Sequence, residues 1–117
     1  MAMPATISTQ IELDHAFDES KTRPVVIFKN STRCSISAHA YQTYRDFVEE
    51  ASSPDTLFTV IQILDARPVS DALAQRTGIR HESPQILVLK DGQVAWSASH
   101  WEISREGIEQ ALEKGAA

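Results

Sequence analysis

Short apolar runs and apolar residues at three- to four-residue steps alternate along this chain, and the two periods predict eight elements. Residues 1–7 carry neither pattern and are expected as a loose arm. Ser8 or Thr9 can cap a helix that carries Ile11, Leu13 and Phe17 toward a core and ends near Ser20. After the connector Lys21-Thr22-Arg23-Pro24, the β-branched run Val25 to Lys29 reads as a central buried strand. From Cys34 to about Ala51, the spacing of Ile36, Ala40, Tyr44, Phe47, Val48 and Ala51 predicts a long amphipathic helix, which Ser52-Ser53-Pro54-Asp55 breaks. Leu57 to Leu64 alternates with both faces mostly apolar, as an interior strand does.

A third helix starts at Pro68 or Ser70, turns Val69, Ala72 and Leu73 inward and closes on Gly78, and Ile79 to Ser83 is a loop. Gln85 to Lys90 and Gln93 to Ser97 flank Asp91-Gly92, a strong two-residue hairpin signal. The segment from Ile103 or Ser104 to Lys114, with Ile108, Ala111 and Leu112 on one side, closes the chain as a helix. The order α-β-α-β-α-β-β-α supplies crossovers for parallel pairing in its first half and a hairpin in its second. It predicts a thioredoxin-like α/β fold with a central mixed four-stranded sheet flanked by helices, in one domain over residues 1–117.

Composition narrows the class. With 117 residues, 42% of them hydrophobic, one ordinary core is within reach. The formal net charge of −5 and the lack of a basic cluster argue against nucleic-acid or anionic-membrane partners, and no apolar run approaches the roughly 18 residues that span a bilayer. One cysteine excludes an internal disulfide framework and a cysteine-rich zinc site, and with no leader-like start the expected compartment is the cytoplasm.

That cysteine carries the chemistry. Cys34 stands in Thr32-Arg33-Cys34-Ser35-Ile36-Ser37, where a strand ends in a polar loop and a helix opens. Free N–H groups and the positive dipole end of a helix favour thiolate there, and open α/β sheets place their reactive crevice at the carboxyl ends of strands. The spacing is C-x-x-S, so a redox protein built on it works with one thiol and needs an outside thiol to resolve a mixed disulfide. Arg33 and Lys29 are cations that can lower the thiol pKa or hold the carboxylates of a small acidic thiol. Ser37, on the first helical turn, either donates to the sulfur or caps the helix, and His81 either polarises the thiol or is solvated. The aromatic pair Tyr41 and Tyr44, like Trp96, is expected to pack rather than bind. Metal binding is not expected: His39, His81 and His100 lack close ligand spacing, and His39 lies about 500° around a helix from Cys34.

Asn30-Ser31-Thr32-Arg33-Cys34-Ser35-Ile36-Ser37 resembles the active-site loop of the monothiol bacilliredoxins of the bacillithiol system. Gly78-Ile79-Arg80-His81-Glu82-Ser83-Pro84-Gln85 and Ser99-His100-Trp101 resemble further stretches of that family, so the likeness runs from about Pro24 to the last helix. It implies reversible removal or transfer of bacillithiol on S-bacillithiolated proteins, with Cys34 as nucleophile and Pro84, in a cis peptide, as the proline opposite it. The family usually has proline where this chain has Ser35, a departure that bears on loop stiffness and thiol pKa. On this reading Thr32, Arg33, Ser35, Ser37, His81, Ser83 and Pro84 stabilise the thiolate or bind substrate. No prosthetic group is needed, bacillithiol is co-substrate, and the protein is a monomer that can dimerise through Cys34 on oxidation. A monothiol glutaredoxin-like protein serving glutathione is the alternative within the same chemistry, and the lack of the glutaredoxin active-site tyrosine counts against it. Some monothiol redoxins share a [2Fe–2S] cluster between two chains. A thioredoxin-like binding or stress module with an incidental cysteine is the alternative of a different class.

Overall fold

The computed structural model describes residues 3–31, 35–51 and 55–114, with the backbone alone at 35, 36 and 114. The elements, in chain order, are β1 (Ala5–Thr6), α1 (Gln10–Glu19), β2 (Val25–Asn30), α2 (Ser35–Ala51), β3 (Leu57–Gln62), α3 (Arg67–Thr77), β4 (Gln85–Lys90), β5 (Gln93–Ser99), a 3-10 turn (His100–Glu102) and α4 (Arg105–Lys114). The sheet order is β1-β3-β2-β4-β5, with β3 parallel to β1 and β2, and β4 antiparallel to β2 and β5.

All six residues of β2 are buried: the apolar run Val25 to Phe28, as a strand covered on both faces requires, and with it the polar Lys29 and Asn30. Side chains alternate along it. Val26 and Phe28 face one core with Tyr44, Phe47 and Val48 of α2 and Ile108 and Ala111 of α4, whereas Val25 and Ile27 face the other with Leu13 and Phe17 of α1 and Val69 and Leu73 of α3. Each such side chain, removed from water, contributes roughly 1.5–3 kcal/mol. Tyr44 is fully buried, stacks on Phe28 with ring centroids 5.0 Å apart, and donates its hydroxyl proton to Thr59 O at 2.8 Å. The expected reading of Tyr41, Tyr44 and Trp96 as packing residues matches their places in or against this core.

Local chemistry sets the element ends. Thr9 and Glu12 form a reciprocal capping box on α1, and Gly78 (φ +73°) ends α3 in the left-handed conformation. Asp91 and Gly92 both take positive φ, as a two-residue hairpin with the right twist demands. At Gly107 a Cβ would stand 3.0 Å from Trp96 Cζ2, a tight contact that any larger residue could keep only if the indole shifted by a few tenths of an ångström.

Four expectations are corrected. The sheet has five strands: Ala5 and Thr6, placed in a loose arm, pair with Thr59 and Val60, and Ile7 beyond them is buried and donates its N–H to Val60 O. Ile11 is 80% exposed, because it lies about 200° around α1 from Leu13 and the buried face is Leu13, Ala16 and Phe17. Strand β3 stops at Gln62 rather than Leu64, because Asp65 and Ala66 fold back to donate to Gln62 O. Strand β5 runs on to Ser99, two residues past the expected end. No helix among the described residues is long and apolar enough to cross a membrane.

Candidate functional site

The carboxyl end of β2 is where the chain enters the cysteine segment. Cys34, Thr32 and Arg33 lie outside the described residues, as do the side chains of Ser35 and Ile36, so the expected roles of those residues are taken up below as proposals. The segment's two anchors are described. Ser37, on the first turn of α2, is fully buried; its hydroxyl donates to Asn30 Oδ1 at 2.9 Å and accepts the Ser31 N–H at 2.9 Å. Asn30 Nδ2 in turn donates to Gln62 Oε1 at 2.8 Å, and Asn30 O accepts the Ile63 N–H at 2.9 Å. One hydroxyl has one proton, and that of Ser37 is spent on Asn30. Ser37 therefore neither donates to the sulfur nor caps α2 in the ordinary sense: it closes the loop by tying the start of α2 to the ends of β2 and β3.

Opposite lies the loop before β4. The Ser83-Pro84 peptide is cis, as the resemblance implied, and Pro84 is buried. The Ser83 hydroxyl oxygen is shut off from solvent and has no hydrogen-bond partner among the described residues. An orphaned hydroxyl of this kind costs about 1–3 kcal/mol. Gln85, next in the chain, pairs with Lys29 of β2 and with Ser99 of β5, so this loop and the end of β5 come to the same edge of the sheet as the cysteine segment. Pro84 O accepts the His100 N–H at 3.0 Å, and Ser99 donates its hydroxyl to Glu82, which holds the Glu82 carboxyl below its ordinary pKa of 4.5.

Lys29 is the residue whose environment the sequence disguised most. It was expected as a cation able to reach a small acidic thiol, but it is 1% exposed, and alternation along β2 turns it to the α1 and α3 face, away from α2. Its ammonium donates to Gln85 Oε1 at 3.1 Å, while Gln85 Nε2 donates to Arg80 O at 3.0 Å. Burial brings the Lys29 pKa down from 10.5 to about 8, with the Asp71 carboxylate opposing the shift. His81 sits with Nδ1 3.4 Å from Ser70 Oγ of α3, and its pKa is lowered from 6.5, first by burial and then by the Lys29 charge. Both disfavour the imidazolium form of His81, which lies on the Lys29 side of the sheet. Asn30, Gln62 and Gln85 were not singled out as site residues, because a polar side chain at the end of a strand looks solvated until the pairing of strands buries it.

A groove of about 450 Å³, lined in part by Ile7, Ile11, His15, Arg23 and Leu57, opens at the β1 edge by the start of β3, away from the end that carries the cysteine segment. It takes no part in this site.

Comparison with known proteins agrees with this geometry. Among solved structures, the chain is similar to a protein described provisionally as an oxidoreductase with a thioredoxin fold, at 28% identity and TM-score 0.82, with 92% of each chain covered. It is also similar to a thioredoxin of Malassezia sympodialis, at 16% identity and TM-score 0.74 over 100% of this chain and 94% of that one. Spinach chloroplast thioredoxin f matches at 15% identity and TM-score 0.74 over 99% and 96%. The fold is thus that of thioredoxin, and the family membership supports a thiol redox role. The family model described as monothiol bacilliredoxin BrxC matches residues 5–108, nearly the whole chain, and the protein belongs to that monothiol bacilliredoxin family.

Proposed function

We propose that the protein is a monothiol thiol-disulfide oxidoreductase that takes bacillithiol from S-bacillithiolated proteins onto Cys34. The Cys34 thiolate attacks the bacillithiol sulfur of a client's mixed disulfide. A new S–S bond forms on Cys34, and the client leaves as thiolate. A second bacillithiol thiolate then attacks the bound bacillithiol sulfur, releasing bacillithiol disulfide and restoring Cys34. The two electrons that reduce the client come from the two bacillithiols that end as a disulfide, and no resident cofactor enters either step.

The observation that carries this reading is the convergence at the end of β2. The chain's only cysteine is the last of the three residues between Ser31 and Ser35, the first residue of α2; the position three residues beyond it is a buried serine already committed to holding the loop, and cis-Pro84 stands at the same edge of the sheet. A resolving thiol three residues on is therefore replaced by a structural hydroxyl. In this scheme Ser83, with its unspent proton, is the hydroxyl that donates to the Cys34 sulfur, and Ser37 is not. Arg33 and the amino end of α2 supply the positive field that favours thiolate, with Thr32 and Ser35 as the flanking polar contacts of the substrate. His81, its imidazolium form disfavoured, takes no charge-stabilising part. The clients are cytoplasmic proteins carrying the small thiol, met by a monomer.

The test is intact mass after incubation with oxidised bacillithiol and, separately, oxidised glutathione, followed by dithiothreitol. A reversible adduct that forms faster with bacillithiol and is absent from Cys34→Ser supports the proposal. Faster reaction with glutathione moves the protein to glutathione chemistry, and no adduct from folded protein with a free Cys34 leaves a thioredoxin-like binding module.

A further inference from the structure

Trp101 is 75% exposed, and its backbone is well held. It sits in the 3-10 turn between β5 and α4, which is fixed on both sides: His100 N–H donates to Pro84 O at 3.0 Å, and Ile103, largely buried in the α2 and α4 core, donates its N–H to His100 O at 3.3 Å. His100 holds φ +53°, a left-handed conformation that costs a residue with a Cβ about 1 kcal/mol or more and that clusters at functional sites. The turn packs against α2. The other large exposed apolar side chains among the described residues are Met3, Ile11 and Leu64.

The chain neighbours of Trp101 are polar. Glu102 and His100 beside it are exposed, and the Glu82 carboxylate, charged at neutral pH, uses one oxygen on Ser99 and has the other open among the described residues. His100, Arg80 and His81 are the nearby basic groups that act on Glu82. A protein partner needs on the order of 800 Å² of complementary surface, with an apolar centre wider than one indole. An exposed indole two residues beyond Ser99, whose hydroxyl holds the Glu82 carboxylate, instead suits a small ring that has an apolar C–H face and polar groups at its edge. Among small thiols that is the form of a sugar-bearing one.

We propose that Trp101 is the platform on which the sugar ring of the small thiol stacks, with Glu82 accepting hydrogen bonds from its edge, and that this pair sets the preference for a sugar-bearing thiol over a peptide thiol. The inference rests on the thiol-transfer reading above and adds the site that would recognise the part of the thiol remote from sulfur. It makes Trp101 a specificity residue whose removal is felt by one class of disulfide and not by another.

The experiment is the rate of adduct formation on Cys34 from three small disulfides: bacillithiol disulfide, whose cysteine is carried on a sugar; glutathione disulfide; and cystine, which has neither sugar nor peptide. It is run on the unaltered protein, Trp101→Ala, Trp101→Phe and Glu82→Gln, with folding checked by thermal melting. Trp101→Ala should lower kcat/KM for bacillithiol disulfide about tenfold, mostly through KM, and leave cystine within about twofold. Trp101→Phe should restore most of the loss, and Glu82→Gln should show a smaller loss of the same selectivity. An equal fall with all three disulfides, no change with bacillithiol disulfide, an intrinsic preference for glutathione disulfide, or a loss confined to protein-bound mixed disulfides would each overturn the assignment. The last outcome would give Trp101 to client docking. Failure of the unaltered protein to form an adduct with any disulfide would instead sink the thiol-transfer reading itself.

Discussion

At the scale of single residues, the hydroxyl of Ser37 shows how one atom decides the character of the site. It satisfies a backbone donor at Ser31 and a side-chain acceptor at Asn30 from inside the protein, where water cannot substitute. Ser37→Ala should leave both unpaired and lower the free energy of unfolding by about 2 kcal/mol in a urea titration, with the slope unchanged. Ser37→Cys should cost a similar amount, because a thiol is a weak donor and a weak acceptor. Equal stability of either variant and the parent would mean that the loop is held by something else. The sequence offered Ser37 as a donor to sulfur or a cap, and neither reading could see Asn30, since only the end of β2 against α2 brings the two together.

Elements owe their existence to period and their ends to capping. Helix α1 is a case in which both were legible. Thr9 Oγ1 accepts the Glu12 N–H at 3.1 Å, and Glu12 Oε1 accepts the N–H of Thr9 at 3.1 Å and of Ser8 at 2.8 Å, which keeps the Glu12 carboxyl below its ordinary pKa. Thr9→Ala removes the side-chain half of the box and should destabilise the protein by about 1 kcal/mol, whereas Thr9→Ser should be nearly neutral; thermal melts of the three proteins decide it. The hairpin at Asp91-Gly92 was legible for the same reason, since few residue pairs tolerate two positive φ angles in succession. Strand β1 was not: two residues are too few to display an alternation, and they become a strand only because the edge of β3 is open to receive them.

Across the whole molecule, the buried Lys29 makes stability depend on pH in an unusual window. A folded pKa of about 8 against 10.5 for an ordinary lysine means that below pH 8 both states are protonated and folding bears the full cost of burying the charge, about 3 kcal/mol. Between pH 8 and 10.5 the unfolded chain binds more protons than the folded one, so stability rises with pH. Lys29→Met should lack that rise. The difference in unfolding free energy between the two proteins, measured in urea from pH 7 to 10.5, should therefore shift in favour of the lysine protein as pH increases, and a constant difference would refute a depressed pKa. In the same variant the His81 resonances should titrate closer to 6.5, because the cation that disfavours imidazolium is gone.

The order of the elements from α1 onward, the buried apolar run Val25 to Phe28, and the caps and turn of the chain were determined by the sequence itself, because periodicity, turn chemistry and residue adjacency are local properties. The tertiary structure alone decided which polar groups lie inside. Lys29 is buried because the sheet face it points to is covered by α1 and α3, Ser37 is spent because its hydroxyl meets Asn30 of β2, itself held by Gln62 of β3, and the Ser83 hydroxyl is shut off from solvent with no partner among the described residues. Burial and partnership are set by contacts between residues far apart in the chain, and no local pattern encodes them.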